Sequence, residues 1–208
     1  MTLPSGHHLY EPGDAFSFVY FPVDCVISMM YILTSGVTGQ LAQVGREGIV
    51  DTSISMGTRL MTNLAVVHHP GATYYLPVQV FRKECARHSE LLSHVLCCTQ
   101  LLLKKVTLTA LCNRQHSLSQ QLCRWLLDVS DRTNHSEHFL TQQQIASLLG
   151  VCREGVTEAT ERLQKLGVIT CERGSMTILD RPELERLACG CYVKLKMESE
   201  RLILPDET

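Results

Sequence analysis

The feature that most constrains the fold is the segment "TQQQIASLLGVCREGVTEATERLQKLGVI", residues 141–169, in which a single glycine separates two short amphipathic helices. Ala146 is small where two helices must approach, and Gly150 follows four residues later, where a tight corner needs a left-handed φ. The apolar positions that would lock the two helices together are Ile145, Leu149, Val151, Val156 and Ala159. A Gly-Val-Ile strand and an Arg-Gly hairpin follow, so the sequence predicts a winged helix-turn-helix. The alternative is an ordinary helical hairpin within a core.

The second helix of this motif, residues 152–165, is predicted to enter the major groove of double-stranded DNA. Because Val156 faces inward, the side chains that point outward from its first two turns are Arg153, Glu154, Thr157 and Glu158. An arginine can donate two hydrogen bonds to guanine, and a glutamate can accept one from cytosine. The free backbone N–H groups at the start of the preceding helix can bind a phosphate of the DNA backbone. The tip of the wing can contact a neighbouring phosphate. These positions are Thr141, Gln142 and Gln143, with Arg173 and Ser175 on the wing.

Residues 1 to about 80 predict β-structure, because short β-branched and aromatic runs alternate with Gly and Pro turns. The runs are "YEPGDAFSFVYFP", "CVISMMYIL", "GQLAQVG" and "NLAVVHHPGATYYLPV". Many short strands of this kind indicate a sandwich or jelly roll.

From about Ser89 the apolar period becomes helical, and the stripe is wider than a lone surface helix needs. We predict that this helix pairs with its copy in a second subunit; the alternative is burial against its own β domain. The predicted dimer-interface residues are Leu92, Leu96, Thr99, Leu102, Leu103, Val106 and Ala110. We predict a further helix after the N-cap Ser117 and a polar loop at "NHSEH". Pro182 is predicted to lie in the first turn of one last helix.

The predicted fold class is therefore α+β. It comprises an N-terminal jelly-roll or double-stranded β-helix domain, 1–88, a long dimerisation helix, 89–113, and a C-terminal winged helix-turn-helix, 114–208.

Composition excludes several classes of protein. Hydrophobic residues make up 45% and charged residues 19%, as in soluble globular proteins. No run of about 18 uninterrupted apolar residues occurs, and the first residues lack a signal peptide's basic and apolar regions, so we expect no membrane span and a cytoplasmic location. The net charge of −2 provides no global basic signature, so a DNA-binding face must depend on local placement.

The ten cysteines are expected to be reduced thiols rather than a disulfide framework or a metal site. No CxxC occurs, and the close pairs are Cys97–Cys98 and Cys189–Cys191. We find no nucleophile–base pair, phosphate loop or carboxylate dyad, so we expect no enzyme activity. A metalloenzyme of the cupin type is disfavoured because His68–His69 has no His-x-His or Glu partner nearby.

Four segments resemble the Crp/Fnr transcription regulators: "LTQQQIASLLGVCREGVTEATERLQKLGVI", "RGSMTILD", "YEPGD" and "VYFP". The resemblance covers nearly the whole chain in the same order, and "CNRQHSLSQQLCRWLL" resembles a bacterial branch whose signal is poorly defined. It implies a homodimer that binds successive major-groove turns of a near-palindromic DNA site and contacts RNA polymerase. Relatives usually have a helix and strand before "YEPGD", so either this start is late or this member is trimmed.

The departures from the family's pattern concern the effector and the DNA site. Members that bind cyclic AMP hold its phosphate with a Gly-Glu and an Arg-Ser pair, near whose places this chain has Asp51 and Asn63, while Arg59 is out of register. We therefore expect an effector other than cyclic AMP, of unknown identity, and no cofactor. Cys25 stands alone where an iron–sulfur branch has a cluster, and a haem-ligand role for Cys25, His68 or His69 is the less favoured alternative.

Cys152 and Glu158 stand where relatives often have serine and a basic residue, so the preferred DNA site should differ from theirs. The alternative function is a small-molecule-binding β-barrel module, with the helical part used for dimerisation or protein contacts.

Overall fold

The computed structural model describes residues 1–36, 38–58, 60–172 and 174–203 and has the predicted α+β class. The chain divides into two compact units. The first comprises Met1–Tyr31, Leu41–Val106 and Met197–Thr208. The second comprises Ile32–Gln40 and Thr107–Lys196.

Short antiparallel strands dominate the N-terminal part of the chain, as the Gly and Pro punctuation predicts. They are β1 (Thr2–Leu3), β2 (His8–Tyr10), β3 (Phe18–Pro22), β4 (Val26–Ile32), β5 (Thr38–Val44), β6 (Leu64–His69) and β7 (Gly71–Pro77). One sheet has the order β1-β7-β3 and the other β2-β6-β4-β5. Side chains from both sheets share one buried core, which includes Leu3, Ile27 and Ala65. This is the layered arrangement expected of a jelly roll.

The helix α1 (Val78–Arg87) was missed by sequence analysis, which placed the change to helix only at Ser89. Val78 and Phe81 of α1 are buried in a second core with Val19 and Ile54. Ile54 belongs to a 3₁₀ helix, Thr52–Met56, that begins at Asp51. The segment "VQVFRKECAR" is only ten residues long and half polar, and in so short a segment helix and strand are hard to distinguish by period.

The long helix α2 (Ser89–Gln115) confirms the helical period, and the residues of its predicted stripe differ in burial. Thr99 is buried and Leu102 packs against the core of the first unit, whereas Leu96 and Leu103 are 51% and 64% exposed. The assignment of the seven positions to a dimer interface stays a prediction.

The same helix has the length and composition of a membrane span, although the sequence has no uninterrupted apolar run. Its most apolar 18-residue window has a mean hydropathy of 1.5, and 33% of that window is buried within the protein. One such helix is weak evidence for a membrane, because core helices of soluble proteins pass the same test.

A buried ion pair anchors α2 to the β-structure of the first unit. Lys105 Nζ donates to Glu47 Oε1 at 2.6 Å and to the Gln43 carbonyl oxygen at 3.3 Å. The Lys105 and Glu47 side chains are only 7% and 4% exposed. Such a pair is costly to break, because the partner that remains is a buried and poorly compensated charge.

The second unit contains most of the remaining helices and a small antiparallel sheet of order β8-β10-β9. The elements after α2 are α3 (Leu118–Thr133), β8 (Glu137–Phe139), α4 (Gln142–Leu149), α5 (Arg153–Lys165), β9 (Ile169–Glu172), β10 (Ser175–Ile178), α6 (Arg181–Leu187) and α7 (Cys191–Ile203). The "NHSEH" segment is not wholly a loop, because its end pairs with β10. The predicted last helix is two helices, since the chain becomes extended at Ala188.

We expect Lys105→Met to lower the free energy of unfolding of the first unit by about 3–5 kcal/mol, because it removes the cation that compensates the buried Glu47 carboxylate. Urea unfolding followed by circular dichroism measures the change. The matched control is Lys104→Met, which removes the neighbouring, more exposed pair with Glu198 and should leave the midpoint nearly unchanged. Equal effects of the two substitutions would contradict this account.

Candidate nucleic-acid interface

The predicted capping box opens α4. Thr141 Oγ1 accepts from the Gln144 backbone N–H at 3.2 Å, and the Thr141 N–H donates to Gln144 Oε1 at 2.8 Å. These bonds satisfy backbone groups that a helix start would otherwise leave without partners. The start of α4 is therefore fixed by its own sequence.

The corner between α4 and α5 forms at Gly150, as predicted. Gly150 has φ 68° and ψ 36°, a left-handed conformation that costs glycine little. Ile145 and Ala146 of α4 and Val156 and Ala159 of α5 are all buried. These small and branched side chains hold the two helices as one body and orient the outer face of α5.

The first turn of α5 presents charge to solvent. Arg153 and Glu154 are exposed, and Cys152, the N-cap, makes no side-chain cap hydrogen bond. Glu154 lies where an acid is favoured by the helix dipole. Gly155 packs closely against α3, since a Cβ there would lie 2.9 Å from Leu118 Cδ2 and would have to displace that side chain. The position of α5 thus depends on α3 as well as on α4.

Two of the predicted DNA-binding residues hydrogen-bond to each other. The Thr157 hydroxyl donates to Gln142 Oε1 at 2.8 Å, and Gln142 Nε2 donates to the buried Thr160 Oγ1 at 3.2 Å. Gln142 therefore bridges the start of α4 to the second turn of α5. Sequence analysis gave both residues an outward role, and it could not detect this bridge between positions fifteen and eighteen residues apart.

The wing meets the two helix starts around one open groove. Residues from α4, α5 and the β9–β10 hairpin line a cavity of about 490 Å³. Its lining includes the predicted residues Thr141, Gln142, Gln143, Arg153 and Ser175. Glu154 and Glu158 are exposed on α5 outside this lining, and Arg173 lies outside the described residues.

The charge in the groove is mixed. Arg153 and Glu172 both line it, and Ser175 Oγ donates to the Glu172 carbonyl oxygen at 3.1 Å, which holds the turn of the wing. The exposed Glu158 adds a further negative charge along α5. Arg153 is therefore the main cation that the described part of the groove offers to an anionic ligand.

A family model described as a Crp-like helix-turn-helix domain matches residues 120–187. This segment is similar to Crp-like helix-turn-helix domains. The match begins in α3 and ends with α6, so it contains α4, the corner, α5 and the wing. The predicted resemblance to the Crp/Fnr regulators is confirmed.

Solved structures of this class share the fold of the whole chain. FixK2 from Bradyrhizobium japonicum is 14% identical with a TM-score of 0.75, covering 91% of this chain and 96% of its own. A CRP-family transcriptional regulator from Thermus thermophilus is 17% identical with a TM-score of 0.77, covering 90% and 96%. The c-di-GMP responsive global regulator CLP from Xanthomonas campestris is 15% identical with a TM-score of 0.68, covering 86% and 93%. No curated protein matches the sequence.

The positions where members that bind cyclic AMP hold its phosphate are occupied here by an internal hydrogen-bond network. The buried Tyr10 hydroxyl donates to Asp51 Oδ2 at 3.2 Å and accepts from Asn63 Nδ2 at 3.5 Å. Burial and the adjacent Asp51 carboxylate raise the pKa of Tyr10 well above its ordinary value. Arg59 lies outside the described residues.

The structure also brings together four residues that sequence analysis did not group. Cys112 and His116 lie one turn apart at the end of α2, and Cys189 and Cys191 meet them in the second unit. The available signal was a Cys-x₃-His spacing within a helical stretch, which places both side chains on one face. A search for CxxC alone overlooks it.

We expect Gln142→Ala to lower the free energy of unfolding of the second unit by about 1–2 kcal/mol, because it removes two hydrogen bonds, one to a buried hydroxyl. The matched control is Gln143→Ala at the exposed neighbouring position, which should change the free energy of unfolding by a few tenths of a kcal/mol at most. Thermal unfolding of both variants measures the difference. A neutral Gln142→Ala would mean that the bridge does not stabilise α4 against α5.

Proposed function

We propose that the chain is a homodimeric, sequence-specific DNA-binding transcription regulator of the Crp/Fnr type, and that it is not an enzyme. The observation that carries this proposal is the groove in the Crp-like domain, where Arg153, the start of α4 and the wing converge. A helix start, a protruding helix and a hairpin that share one concave surface match the parts by which a winged helix contacts a duplex.

In this proposal α5 enters the major groove. Arg153 donates two hydrogen bonds to guanine O6 and N7, and Glu154 accepts from a cytosine amine. Both side chains are exposed in the first turn and so can reach base edges. Thr141 and Gln143 at the start of α4, with Ser175 on the wing, contact phosphates. Arg173, outside the described residues, is proposed as a further phosphate contact.

The hydrogen bonds of the domain refine two of these roles. Because the Thr157 hydroxyl and the Gln142 amide bind each other, we assign both residues to positioning α5 as well as to the interface. Glu158 is exposed and negative, so it repels phosphate and restricts the geometry in which α5 can dock. With few cations available, affinity should depend strongly on the correct base at the Arg153 contact.

The exposed apolar face of α2 supports a homodimer. Leu96 is 51% exposed and Leu111 is 52% exposed, and Leu92 and Ala110 are exposed along the same helix. A soluble chain gains free energy by covering such a stripe, and a second copy of the helix offers a complementary one. We therefore keep Leu92, Leu96, Leu103 and Ala110 as interface residues and treat Leu102, Val106 and Thr99 as supporting them from within.

A dimer binds a near-palindromic DNA site, because its two recognition helices are related by a two-fold axis. RNA polymerase is proposed as the protein partner by likeness to the class.

The effector is proposed to be something other than cyclic AMP. A cyclic phosphate needs a cation to compensate its charge, and the described network at this place presents the Asp51 carboxylate, the Tyr10 hydroxyl and the Asn63 amide. A carboxylate repels the phosphate.

A second candidate function, a small-molecule-binding module, is favoured by a cavity of about 390 Å³ in the first unit. It lies beside α1 and the 3₁₀ helix and is lined by Phe81, Arg82 and Cys85, among others. Arg82 is already bonded to backbone carbonyl oxygens of Ile54 and Thr58.

Binding of promoter fragments in a gel-shift titration over a range of salt concentrations tests the DNA proposal. We expect sequence-selective binding that weakens as salt rises, since each phosphate contact adds about −0.9 to the slope of log K against log salt. Arg153→Ala should cost about 1–3 kcal/mol and relax the preference at one base pair per half-site.

The control is Arg162→Ala, which removes the same charge from the last turn of α5 and should leave base preference unchanged. A uniform loss over all sequences with Arg153→Ala would reassign Arg153 to phosphate. The absence of any selective, salt-sensitive shift would favour the small-molecule module instead.

We expect Leu96→Glu to dissociate the dimer, because it places a charge in the proposed apolar seam. Light scattering of the purified protein should show the mass falling from two chains to one. His94→Glu adds the same side chain to an exposed position on the opposite side of α2 and should leave the dimer intact. If both variants remain dimeric, the interface lies elsewhere.

A further inference from the structure

A compact group of thiols and an imidazole lies in the second unit, and none of its members lines the groove of the candidate interface. The members of this group, the thiol–imidazole cluster, are Cys112, His116, Cys189 and Cys191. Their ligand atoms all lie within 4.8 Å of one another. The three thiols are buried and His116 is half-buried. Nothing in the proposed DNA contact uses these side chains.

Local backbone structure explains why the four side chains point to one place. The His116 N–H donates to the Cys112 carbonyl oxygen at 3.0 Å, so the last turn of α2 continues through His116 and stacks the two side chains. Cys189 and Cys191 flank Gly190 where α6 has ended and α7 begins. The Tyr192 N–H donates to the Cys189 carbonyl oxygen at 3.0 Å, which folds that connection into a tight turn.

The distances are those of a ligand set rather than of an existing cross-link. Cys112 Sγ lies 3.4 Å from Cys189 Sγ, and Cys191 Sγ lies 3.9 Å from His116 Nδ1. A disulfide bond would require about 2.05 Å between the sulfurs. Around a tetrahedral Zn²⁺ with Zn–S bonds of about 2.3 Å, two sulfurs are separated by about 3.7 Å. Only small adjustments are needed to place a metal ion at the centre of the thiol–imidazole cluster.

A buried cation compensates the charge that such a site would carry. Arg124 on α3 is 5% exposed, and its Nε has no hydrogen-bond partner among the described residues. Arg124 lies close enough to Cys112 and Cys191 to interact with both electrostatically. Three thiolates and one neutral imidazole around a divalent cation have a net charge of −1, which Arg124 offsets.

We propose that Cys112, His116, Cys189 and Cys191 bind one thiophilic divalent cation, Zn²⁺, with tetrahedral coordination by three sulfurs and one nitrogen. Three cysteines and one histidine in a closed site are a common structural zinc set. Binding replaces three S–H bonds with S–Zn bonds and releases three protons to solvent, while His116 binds through its neutral Nδ1. No oxidation or reduction takes place.

The proposed ion has a structural role. It would join the C-terminal turn of α2 to the connection between α6 and α7, two segments of the second unit more than seventy residues apart in the chain. Metal that binds only the folded unit stabilises that unit. This inference concerns the second unit alone and does not depend on the DNA-binding proposal.

The test uses the full-length protein, reduced and freed of metal, with Co²⁺ as a spectroscopic probe. We expect one Co²⁺ per chain, with thiolate-to-cobalt charge transfer and the visible bands of tetrahedral coordination, and complete displacement by one equivalent of Zn²⁺. Zn²⁺ should also raise the Tm of the wild-type protein.

Variants identify the ligands. Cys189→Ser should abolish the tetrahedral spectrum and the rise in Tm, whereas Cys97→Ser, which changes an exposed cysteine outside the cluster, should retain both. His116→Gln keeps all the thiols and, being half-buried, is a milder change. It should weaken Co²⁺ binding by roughly 100-fold or more. The loss of an outer-shell partner of a metal ligand can already cost that much, and His116 is proposed as a direct ligand.

Circular dichroism confirms that each variant is folded, and the His116→Gln result decides the question if Cys189→Ser does not fold. The proposal is overturned if the reduced wild-type protein gives no tetrahedral spectrum, or if His116→Gln binds Co²⁺ as tightly as wild type. It is also overturned if mass spectrometry finds a Cys112–Cys189 disulfide and the reduced form binds no metal.

Discussion

The close approach of α4 and α5 at Gly150 is the constraint on which the candidate interface depends. A left-handed residue turns the chain, and Ala146 and Ala159 allow the two helices to pack without intervening bulk. Because the inner faces are occupied by Val156 and Ile145, the orientation of every outer side chain of α5 follows from this packing. A Cβ at Gly150 would meet open space, so the cost of a larger residue at the corner is the strain of its left-handed φ.

The internal hydrogen bonds and the acidic residues of the candidate interface limit the contacts that it can make with DNA. Gln142 and Thr157 are bonded to each other, Glu158 is negative, and the groove contains Glu172 beside Arg153. A protein with a net charge of −2 gains little from general attraction to phosphate. If it binds DNA, its affinity must come from a few well-oriented contacts and from the doubling of those contacts in a dimer.

The helix α2 is anchored by different chemistry in each unit. In the first unit Lys105 pairs with Glu47 in a buried environment, and in the second unit Cys112 at the end of the helix lies in the thiol–imidazole cluster. Both anchors rely on polar or polarisable groups within an otherwise apolar helix. Neither anchor involves the exposed side chains of Leu92 and Leu96.

The sequence by itself determined the elements whose signals are local. The capping box at Thr141, the corner at Gly150 and the period of α2 each depend on residues within a few positions of one another, so they could be predicted. Only the tertiary structure decided which members of the α2 stripe face inward and how Gln142 is engaged. It alone brought Cys189 to Cys112, seventy-seven residues away. Such contacts depend on how separate elements pack, and no spacing along the chain encodes that packing directly.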